Sequence, residues 1–139
     1  MADRDRTASL AVQVAERVDG TLIVQLTGEI DISTAEILFD QFRVISAEQI
    51  QNVILDATGV EFIDSSGLHA LIEGKRIIRE GGTNLVLVPS QQVRRVLELV
   101  FPEPIFAARV DSVEEAFAWL ASHPEGLSVT STTGDGSSG

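Results

Sequence analysis

Apolar and polar residues alternate from the start of the ordered pattern, with Leu10, Val12 and Val14 on one side of it. Asp19-Gly20 supplies turn chemistry, after which Leu22, Val24 and Leu26 resume the same period. Period two interrupted by Asp-Gly predicts a β-hairpin. Beyond Gly28-Glu29-Ile30-Asp31 the period changes. From Ser33 to about Ala47, Ala35, Leu38, Phe39, Phe42 and Val44-Ile45 recur at spacings near three and four, which predicts an amphipathic helix. Val53-Ile54-Leu55 is continuous rather than alternating and predicts a central strand.

The second half repeats this strand-helix rhythm. Leu68, Leu71, Ile72 and Ile77-Ile78 trace one stripe between Ser66 and Arg79, and Gly81-Gly82 end it as a C-cap. Leu85 to Val88 form another short apolar run, stopped by Pro89. Ser90 is placed to cap a helix from Gln91 to Phe101 whose buried face carries Val93, Val96, Leu97 and Val100. Pro102 and Pro104 then precede a predicted strand over Ile105–Val110. Ser112 with Glu115 predicts a capping box for a last helix bearing Val113, Ala116, Phe117, Trp119 and Leu120. The order β-β-α-β-α-β-α-β-α implies an α/β domain, a mixed β-sheet with crossover helices. It is expected to span residues 8–123. Residues 124–139 are rich in Ser, Thr and Gly and are expected to form a disordered tail.

Composition narrows the class. With 139 residues, 44% of them hydrophobic, the chain has material for one domain with a real core. Ten Lys and Arg against 21 Asp and Glu give a net charge of −11, which disfavours nucleic acid and anionic membrane surfaces and suits a basic partner protein. The absence of cysteine removes disulfides and thiolate metal sites and is compatible with the cytoplasm, the expected location. Met1 to Arg6 is charged and does not read as a secretion signal, and nowhere do 18 apolar residues run together.

The chemistry concentrates where Val60-Glu61-Phe62-Ile63 leads into Asp64-Ser65-Ser66-Gly67-Leu68. Ser65 or Ser66 has the chemistry of an N-cap, its hydroxyl oxygen accepting from a free N–H of the first turn. The same place favours an anion, so a phosphate on either serine fits without unfolding the helix. Capping alone also accounts for both serines, dipole compensation for Asp64, and turn chemistry for Asp31. Enzyme chemistry finds less support. A Ser65–His69 pair on one helical turn is the only hydrolase arrangement near this motif, and the Gly-x-Ser-x-Gly elbow is missing. No metal-ligand set or nucleotide-binding loop is recognisable, and no cofactor is expected.

Taken together, Gly28-Glu29-Ile30-Asp31, Phe62-Ile63-Asp64-Ser65-Ser66-Gly67-Leu68 and Gly81-Gly82 resemble the STAS domain, and more narrowly the single-domain bacterial anti-sigma factor antagonists, or anti-anti-sigma factors. The resemblance covers roughly Leu10 to Leu120. It implies a non-enzymatic partner switch in which the antagonist binds an anti-sigma factor serine kinase and frees a sigma factor. Phosphorylation ends that binding, and a PP2C-like phosphatase reverses it. By motif position the phosphorylated residue is Ser65, with Ser66 the alternative. The implied partner surface comprises Glu29, Asp31, Ser33, Glu61, Asp64, Ser65, Ser66, Gly67 and His69. His69 departs from the family's usual small residue and is either a phosphate contact or an exposed first-turn side chain. Phe101-Pro102-Glu103-Pro104 departs from the family's short Gly-Leu linker. The alternative role is a non-switching STAS scaffold or an accessory protein of a transport or signalling complex.

Overall fold

The computed structural model describes residues 9–48, 50–100 and 110–123. Strand β1 (Leu10–Val18) and strand β2 (Thr21–Ile30) form the hairpin. Asp19 and Gly20 both have positive φ, 48° and 79°, which matches the twist of a two-residue hairpin turn to that of the strands. Helix α1 (Ala35–Ala47), strand β3 (Asn52–Ile63), helix α2 (Ser65–Glu80), strand β4 (Asn84–Pro89), helix α3 (Gln91–Val100) and helix α4 (Val113–Ser122) follow. The sheet order is β1-β2-β3-β4, with β1 antiparallel to β2 and the other neighbours parallel. The mixed α/β architecture expected from the sequence is therefore present. The strand expected over Ile105–Val110 and the tail at 124–139 lie outside the described residues, apart from a buried Val110 that is not in a strand.

The continuous apolar run in β3 has the predicted explanation. Val53, Ile54 and Leu55 are all fully buried because both faces of this central strand are covered. Val53 and Leu55 join Leu22, Val24, Leu85 and Leu87 in the core that α1, α2 and α3 cover. Ile54 points the other way with Ile23, Val86 and Val88, beneath Ala116, Phe117 and Trp119 of α4.

Helix ends follow the sequence with instructive corrections. Gly82, at φ 89°, places Thr83 N–H on the Ile78 carbonyl and its own N–H on Arg79, a Schellman stop for α2. Ser90 Oγ accepts from Val93 N–H at 3.1 Å, as a cap should. At α4, Ser112 Oγ accepts from Glu115 N–H, but the Glu115 carboxylate reaches the N–H of Asp111 rather than of Ser112. The capping box is thus displaced by one residue, in a region where Arg94 also pairs with Asp111 at 2.6 Å. Val44 and Val100, both expected on buried helix faces, are more than half exposed. Each stands near the end of its helix, and the described elements do not cover it.

Candidate functional site

The motif residues meet at one end of the sheet. Ile30 ends β2 and is in register with Ile63, the last residue of β3, while Glu29 stands beside Phe62. Asp64 N–H donates to the Ile30 carbonyl at 3.3 Å, so the start of α2 is tied to the end of β2. Gly67 makes this approach possible. A Cβ at position 67 would overlap the Ile30 carbonyl, and no other side chain would fit.

The cap is not a serine. Asp64 has extended backbone, and its Oδ1 accepts from Gly67 N–H at 2.9 Å, which makes it the N-cap of α2. Ser65 and Ser66 are therefore the first two helical residues, and the helix begins one position earlier than expected. The reason is local: the carboxylate satisfies a first-turn amide and complements the positive helix end at once. Ser65 is exposed and Ser66 half-buried, so the two hydroxyls differ in access. Their own N–H groups belong to the first turn, whose amides have no carbonyl one turn back within the helix.

The loop after β2 is equally built. Asp31 Oδ1 accepts from Ser33 N–H at 2.8 Å and Ser33 Oγ at 2.7 Å. These bonds, chiefly the one from the Ser33 hydroxyl, hold the Asp31 carboxyl below the usual aspartate range. Thr34, buried, donates from Oγ1 to the Glu29 carbonyl at 2.9 Å and accepts from Asp31 N–H at 3.0 Å. Turn chemistry thus does account for Asp31, and Thr34 is a loop-fixing residue that the sequence reading passed over. Its signal was present, as a Thr immediately before a helical period.

Glu61 and His69 are both exposed. His69 follows Ser65 and Ser66 by four and three residues, a spacing that places them on one helix face. It also acts on Glu73, one turn further on. That carboxyl is held low mainly by its hydrogen bond from Arg76, with a smaller contribution from the charge of His69. Ser65 lines neither of two concavities elsewhere. One, of about 360 Å³, lies along α2 at Ile72, Lys75 and Arg79. The other, of about 320 Å³, is formed by Val110, Trp119 and His123 with their neighbours. Among the described residues no helix is long and apolar enough to cross a membrane.

Comparison with known proteins bears on the fold and the family. An anti-sigma F factor antagonist of Paenibacillus polymyxa is 32% identical over 82 residues, covering 58% of this chain and 70% of that one. The crystal structure of an anti-sigma factor antagonist from Mycobacterium paratuberculosis superposes with a TM-score of 0.69 at 26% identity, over 81% of this chain and 95% of that one. A sulfate transporter family protein from Wolinella succinogenes matches with a TM-score of 0.65 at 27% identity, over 80% and 93% of the two chains. The STAS domain profile matches residues 12–116, from within β1 to within α4. The chain belongs to the STAS domain family.

Proposed function

We propose that this protein is an anti-sigma factor antagonist that binds an anti-sigma factor serine kinase through the start of α2 and the β2–α1 loop, and that phosphorylation of Ser65 ends the binding. The observation that carries the reading is the division of labour at the helix start. Asp64 performs the capping, so Ser65 is exposed at the first helical position and its hydroxyl is not the cap. Relatives named as anti-sigma factor antagonists support the partner class.

The electrostatics support a switch without unfolding. A phosphate adds about −1.5 to −2 charge beside Glu61 and Asp64. First-turn amides of α2 are oriented to receive its oxygens, so the fold is retained while the surface becomes more negative. Like-charge juxtaposition at an interface costs roughly several kcal/mol, and about 1.4 kcal/mol is tenfold in affinity. A PP2C-like phosphatase resets the switch. Glu29, Asp31, Ser33, Ser66, Gly67 and His69 complete the partner surface, and the protein acts in the cytoplasm without catalysis of its own.

The test is intact-mass spectrometry with site mapping after incubation with ATP and purified anti-sigma kinases of the same genome. One phosphate on Ser65, with loss of the complex, is the expected result. A stable complex that is never phosphorylated sinks the switch. The similarity to a sulfate transporter family protein favours, as a second reading, a non-switching accessory STAS domain. Under that reading Ser65→Asp leaves partner binding unchanged.

A further inference from the structure

Two large apolar side chains stand in water at the same end of the sheet as Ser65. Ile32 is 78% exposed and Phe62 46% exposed. Single exposed apolar residues are ordinary on protein surfaces. This pair differs in its placement. Ile32 occupies the β2–α1 loop, and Phe62 lies two residues before the Asp64 cap. Its strand neighbour in β2 is Glu29.

The exposure of Ile32 is enforced. Asp31 on one side of it binds both the N–H and the hydroxyl of Ser33 on the other, and Thr34 fastens the loop back to Glu29. With the flanking backbone fixed in this way, Ile32 is held out toward solvent. Phe62 is exposed between Val60 and Ile63 of the core because the β2–β3 register shifts at Glu61, Gly28 pairing with Val60 and Glu29 with Phe62, which breaks the alternation that would otherwise bury Phe62 with Val60. Around the two stand Glu29, Asp31, Glu61 and Asp64.

We infer that Ile32 and Phe62 are apolar anchors for the partner, and that the segment they receive presents apolar side chains flanked by lysine or arginine. This rests on the proposed antagonist function and specifies its interface. Charge selects the occupant. A second copy of this chain, at net charge −11 and with the same carboxylates at the same place, would meet like charge, whereas a cationic segment is attracted. The anchors and the switch divide the work. Apolar burial supplies adhesion that phosphorylation does not remove, and the phosphate changes the electrostatics of the carboxylate rim around it.

Purified anti-sigma factors of the same genome serve as the probe, titrated calorimetrically against the parent chain and against Ile32→Ser, Phe62→Ser, Ile32→Leu and Val44→Ser. We expect Ile32→Ser and Phe62→Ser each to weaken binding by about tenfold or more with unchanged thermal unfolding. Ile32→Leu, which keeps an apolar side chain of similar volume, should weaken binding less than Ile32→Ser, and the distant Val44→Ser should stay within roughly twofold. Equal affinity of all variants in a complex that Ser65 phosphorylation still dissolves overturns the anchors and leaves the proposed function standing. Failure of the parent chain to bind any of the probes overturns both. Self-association of the parent chain that Ile32→Ser abolishes, seen by light scattering, would assign the patch to a second copy and overturn the inference.

Discussion

The Ile30 carbonyl lies directly against Cα of Gly67, so that the first turn of α2 rests on the end of β2. This contact sets the position of Ser65 relative to the β2–α1 loop. Gly67→Ala inserts a methyl group where backbone already stands. Overpacking of this kind costs about 1–3 kcal/mol, and here the opposing atom belongs to a strand end that cannot rotate away. Urea unfolding should show a loss in that range, and the amide signals of Ile30 to Thr34 should move with it. An unchanged midpoint would mean that α2 shifts freely at its start.

Further along the same helix, at Gly74, the packing is set by Phe42. Its ring lies where a Cβ on Gly74 would be. Gly74→Ala is expected to destabilise by roughly 1–3 kcal/mol through overpacking. Combining it with Phe42→Leu should recover part of that loss, because the two changes share one space. Strict additivity in a double-mutant cycle would contradict the contact.

Asp64 and Ser65 separate cap from switch. Asp64→Ala removes the acceptor of Gly67 N–H and should cost about 1 kcal/mol, while Asp64→Asn keeps the cap and costs little. Ser65→Ala, at an exposed position outside the cap, should stay within about 0.5 kcal/mol. Thermal unfolding of the three variants checks the order. Ser65→Ala as the most destabilised would return the capping role to the serine.

Asp31 gives a pH signature. Its carboxyl titrates below the usual aspartate range because Ser33 donates two hydrogen bonds to the charged form. A folded value below the unfolded one means that the contribution is complete above the unfolded value and is lost as pH falls through the folded one. The Ser33 amide resonance should therefore hold steady through the ordinary aspartate range and shift only at more acidic pH. Asp31→Asn should abolish that low titration. A Ser33 shift centred at the ordinary aspartate value would show the loop to be open in solution.

Much of this protein was determined by its sequence alone, because local physics suffices for it. The period-two runs, the Asp19-Gly20 turn, the three-and-four spacing of Leu38, Phe42 and Ile45, and the Gly81-Gly82 stop each act within a few residues. They appear in the structure where the pattern put them. The motif resemblance likewise fixed the family. What tertiary structure decided was everything that depends on approach between distant segments. Sequence placed the cap of α2 on Ser65 or Ser66 and gave Asp64 only a charge complementing the helix dipole. Asp64 is held extended, its N–H bound to the Ile30 carbonyl 34 residues earlier in the chain, and its carboxylate can reach Gly67 from there. Helical spacing put Val44 among the buried residues, but exposure depends on whether another element arrives to cover it. The same reason leaves Ile32 and Phe62 exposed: an apolar side chain is buried only where the fold brings it a neighbour, and at the end of the sheet beside Ser65 Ile32 is mostly uncovered and Phe62 nearly half uncovered.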